Sequence, residues 1–217
     1  AYVADKNRAA IIEVDIATGN RTFKSSRVIG TGTVMASPFA LALDPTETKA
    51  YVVDVSSGTL VKIDLSNGNR TDIVNGLTGS GVAFDDPGDM ALNQLETKVF
   101  VIDKNVKALF EVDISTGART VVSSADRGSG PSFSDPYGLG IPVGESKAYV
   151  VDAGLDALIE VDLPSGNRLV LSSSGVGSGT NFSEPRDLAL NSLGTIAYVV
   201  DDTLDAVIEV NLSTGNR

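Results

Sequence analysis

The sequence predicts an all-β protein, a β-propeller of four-stranded antiparallel blades, with five blades or five within a larger ring. Three observations predict it. A phrase beginning AYVAD at residue 1 returns at residues 50, 99, 148 and 197, a constant step of 49 with no insertion. Each repeat holds four short strand-like segments, and no segment shows helical periodicity. Solenoid coils are usually shorter and lack this meander of hairpins. The reading is one propeller domain over residues 1–217, with units 1–49, 50–98, 99–147 and 148–196 and a partial unit 197–217.

The elements can be justified in order. The run AYVVD is apolar at nearly every position and rich in Tyr and Val, as expected for a strand buried on both faces (strand B). ALIEVDL (157–163) follows, with Ile159, Val161 and Leu163 alternating against Glu160 and Asp162, a strand with one wetter face (strand C). SGNR or TGNR then supplies a tight turn in which Gly takes a positive φ. The shorter, more polar RTVVSS and RLVLSS suit an outer strand (strand D). A long Gly- and Ser-rich connection leads to a proline, at 38, 87, 136 and 185, and a small-residue strand (strand A). Ala42, Ala91, Gly140 and Ala189 suit the innermost position, where blades crowd the axis.

The string P-x-x-L-A-L-D, A-Y-V-V-D, L-I-E-V-D-L-x-T-G-N-R resembles the repeats of NHL-type and YVTN-type propellers over the whole chain. The unit is longer than usual for NHL repeats, and the excess lies in the Gly-rich connection. Signatures of the WD, kelch and Asp-box propellers are absent from the sequence. Gluconolactonase-type propellers, which look related, hold a divalent metal at the axis through carboxylate and Asn ligands. Asn93 and Asn191 are similar to such ligands, but they fall at the far end of strand A, away from the aspartates that could join them.

Composition narrows function. The chain carries 28 acidic and 17 basic residues, a net charge of −11, which disfavours nucleic acid and anionic membrane surfaces as partners. No apolar run approaches the ~20 residues of a spanning helix, so membrane insertion is not expected. There is no Cys and no His, which removes disulfides, thiol nucleophiles, and the commonest general base and metal ligand.

With B and C joined on the same face as D and A, the long Gly-rich loops and the loops after AYVVD should share one end of the ring. The triplets Gly30-Thr31-Gly32, Gly79-Ser80-Gly81, Gly128-Ser129-Gly130 and Gly177-Ser178-Gly179 read as tight bends, since no helix follows to make a phosphate cradle. Met35, Phe84, Phe133 and Phe182 read as plugs between blades. Asp5, Asp54, Asp103, Asp152 and Asp201 end every B strand and read as Asx turns in preference to a cation-binding ring. Asp15, Asp64, Asp113 and Asp162, each six residues before an Arg, read as partly exposed hairpin ion pairs worth about 0.5 kcal/mol.

Positions at which near-identical units differ mark the candidate site. After the shared proline the units carry Phe39-Ala40, Gly88-Asp89, Tyr137-Gly138 and Arg186-Asp187. Phe39, Asp89, Tyr137, Arg186 and Asp187 around one opening would suit a small polar ligand, a sugar or, through Asp89 and Asp187, Ca²⁺. No cofactor is otherwise implied. Asp89 and Asp187 are also the only candidates for a glycosidase-like acid and base pair.

The expected function is a non-catalytic binding module for a protein or carbohydrate, in a secreted or cell-surface setting, the periplasm included. The alternative is a structural module of an extracellular assembly, and the less favoured reading is a metal-dependent lactonase- or glycosidase-like enzyme. Five B and five C segments stand against four A and four complete D segments. The expectation is therefore a piece of a longer propeller, with tryptic-looking boundaries, or self-association through open edge strands.

Overall fold

The computed structural model describes residues 1–144 and 146–217. The described residues form five antiparallel sheets arranged as the blades of a β-propeller, without a helix. The first blade is β1 (Tyr2–Asp5), β2 (Ala10–Val14) and β3 (Arg21–Ser25). The second is β4 (Pro38–Leu43), β5 (Lys49–Asp54), β6 (Thr59–Asp64) and β7 (Arg70–Val74). The third is β8 (Pro87–Leu92), β9 (Lys98–Asp103), β10 (Ala108–Asp113) and β11 (Arg119–Ser123). The fourth is β12 (Pro136–Gly140), β13 (Lys147–Asp152), β14 (Ala157–Asp162) and β15 (Arg168–Ser172). The fifth is β16 (Pro185–Leu190), β17 (Ile196–Asp201) and β18 (Ala206–Asn211). Thus the first blade lacks an A strand and the fifth a D strand, as the segment count requires. No described helix is long and apolar enough to cross a membrane.

Each complete blade is a simple meander in the order A-B-C-D, and the A strands β4, β8, β12 and β16 stand side by side around the axis. The core lies between blades. Tyr51, Val53 and Leu60 of the second blade pack against Phe84, Val101 and Phe110 of the third. Phe84 meets Phe110 edge-on at 5.3 Å, the favoured geometry for two rings. Met35, Phe133 and Phe182 are buried in the equivalent grooves, so the plug reading holds. Gly140 is small for a clear reason: a Cβ there would lie 2.6 Å from Leu188 of the next blade.

The B strands show the consequence of stacking. The run Ala148–Asp152 is buried on both faces, whereas β17 alternates buried and exposed because no described residue covers the outer side of the fifth blade. Val200 is 46% exposed where its equivalent Val151 is 0%. On the first blade, Val3 and Phe23 are exposed in the same way.

In all four A–B pairs the register slips by one residue just after the proline, for example between Pro87↔Asp103 and Asp89↔Ile102. That bulge falls at the axial end of the inner strand, where bulges commonly re-aim side chains.

Candidate functional site

The mouth is built by the aspartates that end the B strands. Asp54 Oδ2 accepts the main-chain N–H groups of Ala36 and Ser37, at 2.6 and 2.7 Å. Its Oδ1 accepts those of Ser56 and Ser57 in its own B–C loop, at 3.1 and 3.2 Å. Asp103, Asp152 and Asp201 make the corresponding bonds. The Asx turn is therefore present, and the second oxygen adds a clamp on the segment leading into strand A. Four buried carboxylates, each surrounded by donors, set where each proline begins its inner strand.

The bulge then turns the divergent residues inward. Phe39, Asp89, Tyr137, Arg186 and Asp187 come together around one cavity of about 490 Å³, with Gly88 and Gly138 between them. Asp89 sits deepest, its oxygens accepting the N–H of Met90 and of Leu139 on the neighbouring inner strand, both at 2.7 Å. Burial, followed by the charge of Asp187, pushes the Asp89 carboxyl up to about 7, although those two hydrogen bonds pull the other way. Asp187 accepts the N–H of Leu188 at 2.7 Å and is itself raised by desolvation. Gly138 is required by backbone approach, since a Cβ would stand 2.7 Å from the Asp187 Cα.

The upper part of the mouth is aromatic and cationic. The Arg186 guanidinium lies 4.4 Å from the centre of the Tyr137 ring and pairs with Glu184. A further residue belongs here, Lys104, from the loop between β9 and β10. Its Nζ stands 4.8 Å from the Tyr137 ring and 5.8 Å from the Phe39 ring, and 3.0 Å from Asp86 Oδ2. Its stem runs over Gly88, where an added Cβ would meet Lys104 Cγ at 3.2 Å. Lys104 was not among the sequence candidates. The same criterion, applied to the residue after each B-strand aspartate, would have found it, since that position reads Lys6, Val55, Lys104, Ala153 and Asp202.

Other sequence candidates serve the frame. Asn93 and Asn191 cap the A–B turns, each Oδ1 accepting two main-chain N–H groups at the opposite end of the inner strand. The glycine triplets are tight bends: Gly128 has φ +82, and a Cβ on it would lie 1.9 Å from the Gly166 carbonyl oxygen. The Asp–Arg hairpin pairs are corrected. Asp64, Asp113 and Asp162 bind Ser or Thr hydroxyls and N–H groups of their own turns. The arginines cross to the Gly-rich loop of the preceding unit instead. Arg168 donates through Nε to Pro131 O at 2.6 Å and through Nη1 to Ser123 Oγ and Arg127 O, with its guanidinium over Phe133. The loop carbonyls and the serine hydroxyl together give the guanidinium several acceptors away from solvent, where an exposed carboxylate would contribute little.

Among the described residues no three Asp or Glu side chains converge. Asp89 and Asp187 are the residues that would face a cation. Three of their four oxygens already accept main-chain N–H groups, a poor start toward the six to eight oxygens Ca²⁺ takes.

No protein-family model matches the chain. The curated proteins return no match either. Solved structures do. The chain superposes on a chain from a nidogen/laminin complex with TM-score 0.74 and 16% identity, covering 97% of this chain and 73% of that one. A Bacteroides thetaiotaomicron structural-genomics protein gives TM-score 0.71 and 16% identity, with 92% and 53% covered. Kuenenia stuttgartiensis hydrazine synthase gives 0.63 and 15%, with 88% and 50% covered. This chain thus spans about half the length of the latter two. At such identities the likeness is one of architecture, and the chain is a five-bladed β-propeller.

Proposed function

We propose that the chain is a non-catalytic interaction module, of the NHL-like or YVTN-like kind, that engages a protein or carbohydrate partner at the axial mouth in a secreted or cell-surface setting. One observation carries the reading. The units diverge just after the shared proline, where a shared bulge turns Phe39, Asp89, Tyr137, Arg186 and Asp187 into one cavity. The origin of one structural neighbour in a protein–protein complex supports a protein partner.

The test is a binding screen of the whole chain against glycan and protein arrays, repeated with Tyr137→Ala and Asp187→Asn. Binding lost in both variants, with unchanged circular dichroism, supports the mouth. Binding that survives both variants removes the mouth from the function. A Ca²⁺ titration of the same samples decides whether the Asp89–Asp187 pair takes a cation.

The structural-module reading has its own observation, the uncovered faces carrying Val3 and Phe23 at one end and Tyr198, Val200 and Val207 at the other. Sedimentation velocity over a range of concentrations checks it. Concentration-dependent assembly abolished by Val200→Asp favours that reading, and a strict monomer rules it out.

A further inference from the structure

We propose that the axial mouth receives the ammonium group of a lysine-bearing protein segment, and that Lys104 holds that seat in the unbound molecule. The inference rests on the mouth being the binding site and names the chemistry of its partner. Three groups surround the Lys104 ammonium: the Phe39 ring of the second blade, the Tyr137 ring of the fourth, and the Asp86 carboxylate. The two rings come from blades other than the one carrying Lys104, so the seat is made by the ring as a whole and an internal side chain occupies it. Two aromatic faces and one carboxylate form the arrangement that selects an alkylammonium.

Charge favours the same ligand. Asp89 and Asp187 line the cavity beside Arg186, Glu184 pairs with Arg186 and Asp86 with Lys104, so withdrawal of Lys104 removes the cation paired with Asp86. The net charge of −11 draws cationic partners toward the molecule. A sugar fits less well, because Tyr137 already carries two cations within 5 Å of its ring, at 4.8 and 4.4 Å. Phe39, 45% exposed, remains as the open aromatic edge over which an incoming side chain enters.

Lys104 leaves by giving up its Asp86 pair and its contacts with both rings. It projects from a loop, and its stem rests on Gly88, where there is no side chain to interlock with it. An incoming lysine remakes the cation–π contacts and the Asp86 pair. The partner's remaining contacts then decide the affinity, and Lys104 acts as a competitor at very high effective concentration.

The experiment uses the ¹⁵N-labelled whole chain and two probes, Ac-Gly-Lys-Gly-NH₂ and its Nε-acetyl-lysine counterpart. The expected result is saturable shifts of the Gly88, Gly138 and Leu139 amides with the first probe and none with the second. Lys104→Ala, which empties the seat, tightens binding of the lysine probe by about twofold to thirtyfold, the range a cation–π contact covers. Lys104→Arg, which refills the seat, keeps wild-type affinity, and Tyr137→Leu weakens binding. Melting curves establish that each variant folds, and Lys104→Arg keeps the test decisive if Lys104→Ala does not. Equal binding of the acetylated probe, absence of shifts in Lys104→Ala, or weaker binding in Lys104→Ala overturns the inference. An oligosaccharide that shifts the same amides while the lysine probe does not sinks the lysine seat and leaves the mouth standing.

Discussion

Arg119 shows what the arginines at the start of the D strands contribute, because it is the one in which a partner has been lost. Arg70, Arg168 and Arg217 each direct Nη1 at a buried serine hydroxyl, Ser25, Ser123 and Ser172. The corresponding residue opposite Arg119 is Val74, and Arg119 Nη1 is buried with no acceptor. An unmet buried donor costs about 1–3 kcal/mol, so the third blade carries that penalty and the fourth avoids it. Ser123→Ala should therefore destabilise the molecule by about 1–3 kcal/mol in urea unfolding, because it removes both the acceptor for Arg168 and a donor to Gly166 O. A change below a few tenths of a kcal/mol would mean that the loop carbonyls satisfy the guanidinium unaided. The departure Ser25, Val74, Ser123, Ser172 is plain in the sequence, but its meaning is not. Local reading paired each arginine with an aspartate six residues away, whereas the true partners lie 37 to 45 residues back along the chain.

At the scale of the element, strand order and the identity of each strand were legible because every unit repeats the same change from continuous apolar to alternating to polar. The bulge in the inner strand was not. It depends on how β4, β8, β12 and β16 pair with their B strands, and the apolar pattern that sets register is weak at the start of these small-residue strands. Lys104 escaped for a related reason, since a loop residue becomes a mouth residue only once the B-strand aspartate has clamped its loop beside strand A. Two glycines, one in the TGNR turn of the first blade and one in a Gly-rich loop, offer a clean separation of two effects. Gly19 and Gly128 both have positive φ, +73 and +82, but a Cβ on Gly19 meets nothing within 4 Å. Gly19→Ala should cost only the left-handed conformation, about 1–2 kcal/mol. Gly128→Ala carries the same cost and must also push the loop off the Gly166 carbonyl, so its loss should exceed that of Gly19→Ala by about 1–3 kcal/mol in the same melts. Equal losses would show that the loop moves aside freely and does not cement neighbouring blades.

For the whole molecule the decisive balance is between carboxyl groups held down and those pushed up. Burial alone would raise Asp44, but hydrogen bonds from Thr46, Lys49 and Thr48 bring it down to about 2. The Ser115 and Thr116 hydroxyls hold Asp113 at about 2 as well. Such groups contribute stability that is present above the unfolded value near 4 and lost as pH falls toward 2. Asp89 acts in the opposite sense. Its folded value of about 7 lies above the unfolded value of 3.8, so the native state holds the proton more tightly. Its stabilisation is complete below the unfolded value and is lost as pH rises through 7, at up to about 1.4 kcal/mol per pH unit. Asp187 adds to this direction, and self-repulsion of an acidic chain grows with pH too. Maximum stability is therefore expected on the acidic side of neutrality, near the lower end of the Asp89 window. In Asp89→Asn the urea midpoint should lose most of its fall between pH 5 and pH 7, whatever the substitution costs at pH 5, where one N–H now faces an amide instead of a carboxyl oxygen. Added salt separates the contributions, because screening weakens the repulsion among surface charges and leaves a desolvated carboxyl largely untouched. If the slope persists in Asp89→Asn and vanishes in salt, the pH dependence belongs to the net charge and the carboxyl at the axis titrates like an ordinary surface group.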